Sequence, residues 1–233
     1  MIDFNPSEIT FENIDRYYIK KSLFQYVVGK NAVFRGDLLD VGCGEMPYRK
    51  YIRENSSVQS YSGVDLIGGT EYHQNIKPDF YWDGIKFPFA DGTYDSALAT
   101  EVLEHCPDPQ VILREIFRVL KPGSPLVLTV PFIWPTHESP FDFYRYTPFG
   151  LKYQLELAGF ENLGISCLGG WDASLAQVLG LWLKRRKMSK ANQRRLFFFL
   201  KPIIQFLLRK DRILDPDSEQ NLITSLGVVA WKN

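Results

Sequence analysis

The stretch Leu38-Leu39-Asp40-Val41-Gly42-Cys43-Gly44-Glu45 constrains this chain more than any other, because an apolar run of strand-forming residues passes straight into a glycine turn opened by a carboxylate. Gly42 and Gly44 let the backbone turn tightly and approach a ligand with no Cβ in the way. The segment predicts a buried strand whose carboxyl end holds something. A dinucleotide fingerprint needs a third glycine three residues after the second, and that position is Pro47, so the pyrophosphate cradle of a nicotinamide site is not written here. Asp40 places negative charge where a cationic amino group can sit, which suits a ligand with an amino-acid end better than a bare phosphate.

The residues beyond Glu45 extend this strand into a sheet. Tyr61-Ser62-Gly63-Val64-Asp65 predicts a second strand ending on a carboxylate about twenty residues past the glycines, where a doubly wound sheet offers an acid to ribose hydroxyls. Phe80-Tyr81-Trp82-Asp83 reads as a third, with Asp83 placed to accept from an exocyclic amine such as that of adenine. A turn over Phe87 to Asp95 leads to a fourth strand, Ser96 to Thr100, and the chain then enters a helix at Glu101-Val102-Leu103-Glu104-His105. Pro109 to Leu120 carries Val111, Ile112, Ile116, Phe117, Val119 and Leu120 at helical spacing and stops at Lys121-Pro122-Gly123, as helices do. Pro125 to Pro131 is a fully apolar fifth strand, Phe160 to Leu168 a sixth and Ser225 to Trp231 a seventh. Phe11 to Val28 reads as an N-terminal helix with Tyr17 and Phe24 along one side.

Four of these segments together resemble the class I S-adenosylmethionine-dependent methyltransferases: Leu39 to Gly44, Phe87 to Asp95, Glu101 to His105 and Arg118 to Gly123, in the family's order. The resemblance covers roughly residues 36 to 168. It implies an α/β, Rossmann-like seven-stranded sheet with helices on both faces, and S-adenosylmethionine lying across the carboxyl ends of the first strands. Carried over by residue, Asp40, Gly42, Cys43 and Gly44 would hold the methionine end, Asp65 and Leu66 the ribose, Asp83 and Gly84 the adenine, and Thr100, Glu101 and Val102 the wall beside the sulfonium. Met46 departs from the pattern, since many members carry a further glycine there. In the family the N-terminal helix often lids the cofactor, and Arg16 or Tyr17 would meet its carboxylate.

A chain of 233 residues with 45% hydrophobic content is long enough for one sizeable core. The expected organisation is a single methyltransferase domain: a lid over 1–35, a cofactor-binding core over 36–168, a helical insertion over 169–222 and a final strand over 223–233. The opening Met1-Ile2-Asp3-Phe4-Asn5-Pro6 shows no basic segment followed by an apolar core, so no secretory leader is expected. Cys43, Cys106 and Cys167 have no metal spacing and are odd in number, which suits a reducing cytoplasm.

Formal net charge is zero, yet residues 184–212 hold eleven basic residues against the single acid Asp211, leaving the rest of the chain negative by ten. The same segment contains Leu196-Phe197-Phe198-Phe199-Leu200 and Ile203-Ile204-Gln205-Phe206-Leu207-Leu208, too short and interrupted to span a bilayer. An apolar helix flanked by arginine and lysine suits an anionic membrane surface or a lipid-linked substrate. A helical pair packed on the domain, or against a second copy in a homodimer, with its charges simply solvated, is the first reading. Nucleic acid is not expected as a partner, because the cations are not interleaved with exposed-looking aromatics. The expected location is cytoplasmic, or peripheral to a membrane through 184–212.

Phe132 to Tyr146 is a loop dense in aromatic and ionisable groups after the fifth strand, where polar chemistry gathers above a rigid sheet. Methyl transfer from a sulfonium is an in-line displacement, and a hydroxyl acceptor must also lose a proton. His137 is the candidate base, with His105, Asp142, Tyr144 and Arg145 as acceptor-binding residues and Arg145 able to make bidentate contacts. The run from His137 to Thr147 resembles a subgroup associated with surface-polysaccharide or glycan synthesis, which implies a small-molecule or glycan-type acceptor. No cluster of carboxylates with His or Asn is legible in the spacing, so the transfer is expected to need no metal. The competing readings are a module that binds the cofactor without turnover and a peripheral membrane protein working through the basic insertion.

Overall fold

In the computed structural model, which describes residues 5–69 and 76–233, the strand expected before the glycine turn runs over Arg35–Val41 (β1), and its last four residues are buried. The opening Met1 to Phe4, read for a leader, lies outside the described residues. The chain continues through β2 (Ser57–Leu66), β3 (Phe80–Trp82), β4 (Ser96–Thr100), β5 (Ser124–Pro131), β6 (Glu161–Leu168) and β7 (Ser225–Lys232). Among the described residues these form one seven-stranded sheet of order β3-β2-β1-β4-β5-β7-β6. β1 runs parallel to both β2 and β4, so the order reverses between β1 and β4. That reversal opens a crevice at the strands' carboxyl ends, where open α/β sheets take their ligands.

The helices are α1 (Tyr17–Val28), α2 (Arg49–Asn55), α3 (Pro109–Val119), α4 (Pro148–Leu157), α5 (Trp171–Arg185) and α6 (Lys190–Lys210). Local chemistry explains their starts. Asp108 accepts the Gln110 N–H at 2.9 Å and Pro109 supplies a preset φ at the first position of α3. Thr147 and Pro148 repeat the device at α4, and Ser189 caps α6. Ile112, Leu113, Ile116 and Val119 make the buried stripe of α3.

Contacts gather the chain into two compact units. One comprises Val27–Pro131, Thr136–Ile165 and Gly227–Asn233. In it, Arg118 fixes the turn before β4. Its guanidinium donates to the Phe89 carbonyl and to Asp91, each at 2.8 Å, and grips Glu115 with two further hydrogen bonds, while Glu115 accepts the Phe87 N–H at 2.7 Å.

The other unit comprises the residues up to Tyr26, Phe132–Pro135 and Ser166–Leu226. Ile9, Ile14, Ala176, Leu183, Phe197 and Ile204 form its core. Gly180 of α5 lies against the Ile14 carbonyl so closely that a Cβ there would come within 2.3 Å of the oxygen. The end of the insertion is tied to its beginning. Asp211 accepts the N–H groups of Gly170 and Ala173 at the start of α5, Trp171 Nε1 donates to the Gln220 carbonyl at 2.9 Å, and Ser174 Oγ donates to the Leu222 carbonyl at 3.0 Å. Among the described residues no helix is long and apolar enough to cross a membrane.

Two elements differ from expectation. The helix expected from Glu101 is only a 3-10 turn over Leu103–His105, because Glu101 takes φ +55° as its N–H bonds back to the Thr129 carbonyl at 3.0 Å. The helix expected from Phe11 begins at Tyr17, after a run of turns. On α5 the large apolar residues are not the packed face. Trp171, Leu175, Val178 and Trp182 are between 40% and 56% exposed, and the buried face is the smaller Ala173, Ser174, Ala176, Gln177, Gly180 and Leu183.

Candidate active site

The glycine turn is held by hydrogen bonds that only its backbone shape permits. Gly42, at φ +61°, donates its N–H to the Val64 carbonyl at 2.9 Å, and Gly44, at φ +48°, donates to Asp65 Oδ2 at 2.9 Å. Asp65 Oδ1 accepts the Leu66 N–H at 2.8 Å. The ends of β1 and β2 are thus stitched together by the acid expected to hold ribose. A Cβ on Gly42 would lie 2.6 Å from Val102 Cγ2, so the turn packs directly on the wall expected beside the sulfonium. Met46 has φ +49°, the left-handed conformation that explains why the resemblance expects glycine at this position.

Asp40 is 2% exposed and its Oδ2 accepts the Tyr61 hydroxyl at 2.6 Å. Burial pushes its carboxyl up to about 7, against the opposing pull of the Tyr61 hydrogen bond. The expected negative charge is therefore only partly present near neutrality, and a cationic amino group alongside would draw the acid into its ionised form. Asp83 is less available than expected, because its Oδ1 accepts the N–H groups of Ile85 and Lys86 at 2.8 and 3.0 Å, closing its own turn. Gly84 follows at φ +86°, and Leu66 beside it is 43% exposed. Cys43 is buried, and all three cysteines are free thiols. Thr100 closes β4 and Glu101 and Val102 follow at once, on the same end of the sheet as Gly42 and Asp65.

The acceptor loop is fastened to the segment after β4. Phe143 N–H donates to the Glu104 carbonyl at 2.7 Å, Tyr144 Oη to the Pro107 carbonyl at 2.8 Å, and Tyr146 Oη to the Leu103 carbonyl at 3.4 Å. Tyr144, expected to meet the acceptor, is thus a fastener of the loop. The fastening brings His137 against His105, with ring centroids 4.7 Å apart. His105 Nδ1 lies 2.6 Å from the Phe141 carbonyl and must donate to it, so in the neutral ring Nε2 carries the lone pair. His137 Nδ1 lies 3.2 Å from Asp142 Oδ2. Asp142, 3% exposed at its side chain, is gripped by Arg145 through Nη1 at 2.7 Å and Nη2 at 2.9 Å, which holds its carboxyl far below the ordinary range. The expected bidentate contact of Arg145 is therefore spent inside the protein, on Asp142.

Reading by motif passed over Glu104 and gave Glu101 only a place in the wall beside the sulfonium. Glu104 is fully buried with neither carboxylate oxygen hydrogen-bonded, and Glu101 Oε1 is buried in the same condition. Burial pushes the Glu101 carboxyl up to about 7 and that of Glu104 well above its ordinary value. The spacing Glu-x-x-Glu-His, which puts two acids and an imidazole in one short turn, is the signal that could have exposed them.

Comparison with known proteins agrees with this geometry. The family described as "Methyltransferase domain" matches residues 39–128, from the end of β1 into β5. A SAM dependent methyltransferase from Archaeoglobus fulgidus superposes with a TM-score of 0.57 over 95% of this chain and 97% of that one, at 18% identity. Residues 39–128 thus match a methyltransferase domain, the chain is similar to S-adenosylmethionine-dependent methyltransferases, and its fold is Rossmann-like. Among curated relatives, cycloartenol-C-24-methyltransferase 1 of Oryza sativa subsp. japonica is 37% identical over 102 residues, 37% of this chain and 28% of that protein. O-methyltransferase rstn1 of Aspergillus nomiae is 31% identical over 106 residues, 41% of this chain and 47% of that protein. The chain spans less than half the length of either relative.

Proposed function

We propose that the protein transfers a methyl group from S-adenosylmethionine to a hydroxyl oxygen of a small-molecule acceptor, with a glycan-type acceptor as the first class to try. The observation that carries this reading is the placement of the cradle, Asp40 to Gly44 with Asp65, and of the His105–His137 pair in one compact unit, joined by the short run Thr100 to His105. S-adenosylmethionine, when bound, supplies an electrophilic methyl carbon on a sulfonium. The residues fit it: the glycine turn admits no Cβ, buried Asp40 suits an amino group that stays charged, and Asp65 stands at the next strand end with a carboxylate for a diol. Val102 backs the turn. The acceptor oxygen would lie against the histidine pair. The pair would orient that hydroxyl in line with the bound cofactor's methyl carbon, and the hydroxyl proton would be lost beside it. Similarity to an O-methyltransferase supports oxygen as the acceptor atom. The run from His137 to Thr147 supports a sugar.

Incubation with methyl-tritiated cofactor and a panel of sugar glycosides, phenols and sterols checks this, with transfer to a hydroxyl-bearing member expected. Cofactor binding without transfer to any of them would leave a binding module.

A second reading concerns the insertion, and it rests on exposed apolar stripes. Phe199, Ile203 and Phe206 share one stripe of α6 and are 73%, 48% and 56% exposed, beside Phe198 at 75%. Arg194, Arg195, Arg209 and Lys210 flank them, all exposed. Trp171, Leu175, Val178 and Trp182 fall at i, i+4, i+7 and i+11 along α5, a second stripe. Apolar bodies ringed by cations suit an anionic bilayer surface. A second copy would bring like charge against like charge, which favours the membrane over a homodimer. Flotation with phosphatidylglycerol vesicles is expected for the unaltered protein and is expected to drop at least about tenfold on reversing Arg194, Arg195, Arg209 and Lys210 to glutamate, since each cation contributes about 1 kcal/mol at such a surface. Equal flotation of both would sink the idea.

A further inference from the structure

We propose that Glu104, His105 and His137 bind a divalent transition-metal ion, with open coordination positions that receive the acceptor hydroxyl. One donor atom of each residue lies within 4.8 Å of the others. His105 Nε2 is 3.7 Å from Glu104 Oε1 and 3.9 Å from Glu138 Oε2, which places a fourth oxygen at the rim. Metal–ligand bonds of about 2.0 to 2.2 Å need these atoms to draw together by about 1 Å, a movement that the loop carrying His137 and Glu138 can supply.

Two independent observations point to a cation. Glu104 is fully buried, yet both of its oxygens lack a hydrogen-bond partner, and Glu101 Oε1 nearby is in the same state. Buried carboxylate oxygens are ordinarily satisfied by protein or ordered water, so an unpartnered pair beside two imidazoles calls for a specific occupant. The imidazoles, secondly, are braced in the manner of metal ligands. Each Nδ1 faces an oxygen, the Phe141 carbonyl for His105 and Asp142 Oδ2 for His137, and Asp142 is itself held by Arg145. Such outer partners fix the tautomer and turn the other nitrogen toward the ion.

The donor set of two imidazoles and one carboxylate suits Zn²⁺, Mn²⁺ or Fe²⁺ better than Mg²⁺, and three protein ligands leave room for substrate oxygen. An ion there orients the acceptor hydroxyl and acidifies it, so its proton passes to solvent while the oxygen takes the methyl. His137 is then a ligand and not the base. This second half rests on the methyl-transfer reading, whereas ion binding does not.

The full-length protein, stripped with EDTA, is titrated calorimetrically with Zn²⁺, Mn²⁺ and Mg²⁺, and its metal content is measured after dialysis. One Zn²⁺ or Mn²⁺ per chain is expected. Glu104→Gln and His137→Ala each weaken binding by about 100-fold, and Asp142→Asn, which reaches the ion through His137, by about tenfold. Zinc should raise the melting temperature of the unaltered protein and leave that of Glu104→Gln where it is. If Glu104→Gln does not fold, His137→Ala on the loop carries the test alone. Absence of stoichiometric binding, or equal affinity in the folded variants, overturns the site and leaves Glu104 a buried carboxyl that keeps its proton. Equal methyl transfer in EDTA and in zinc would overturn the catalytic half while leaving methyl transfer intact. Ion binding without transfer to any acceptor would overturn the reaction and leave the ion site standing.

Discussion

Replacing Asp65 with alanine is expected to weaken S-adenosylmethionine binding by at least about 100-fold, measured by calorimetric titration. The carboxylate stands at the carboxyl end of β2, next to the switch between β1 and β4, where an acid takes two ribose hydroxyls. Hydrogen bonds to a charged group contribute about 1.5 to 3 kcal/mol each, so losing two of them reaches that factor. Part of the loss runs through the protein, because Asp65 also accepts the Gly44 and Leu66 N–H groups. Asp65→Asn separates the contributions. Its amide oxygen keeps accepting one of those backbone N–H groups and loses only the charge and one acceptor, so binding about tenfold weaker than the unaltered protein is expected. An alanine variant that binds within threefold of the unaltered protein would remove Asp65 from the cofactor site.

The second large effect is on the fold. Gly42→Ala is expected to destabilise the protein by about 2 to 5 kcal/mol in urea denaturation, from two sources. A left-handed backbone costs a residue with a Cβ about 1 to 2 kcal/mol, and overpacking adds about 1 to 3. The clash has a named partner, Val102 Cγ2 at 2.6 Å. Val102→Ala in the same chain should therefore restore the packing part and leave the backbone part, giving a coupling of about 1 to 2 kcal/mol in a double-mutant cycle. Simple additivity of the two substitutions would show that the glycine is required for its φ alone.

What could be read in the sequence was whatever depends on near neighbours. The strand before Gly42 shows as a continuous apolar run because both faces of a parallel strand are covered. The start of α3 shows because Asp108 and Pro109 act within one turn. Leu103 to His105 fails as a helix for a reason no window contains: Glu101 is pulled into a left-handed conformation by the Thr129 carbonyl on β5. Asp40 looks like a ready anion until Tyr61, on the neighbouring strand, is seen burying it. The pairing of His105 with His137 was half legible, since both were candidates. What the sequence concealed was the distance between them and the unpartnered Glu104 beneath. On α5 no spacing shows which face packs: the close approach of Gly180 to the Ile14 carbonyl puts the small residues inside.

The ties between the two ends of the insertion bear on how such a protein can diverge. Asp211 returns to Gly170 and Ala173, and Gln220 and Leu222 return to Trp171 and Ser174. The chain leaves and rejoins β6 and β7 through a clasp of its own making. Lengthening, shortening or recharging the two helices beyond that clasp changes what they touch without altering where the flanking strands begin and end. Selection can thus redraw the insertion's outer surface for a new surrounding while the glycine turn at the end of β1 keeps its geometry.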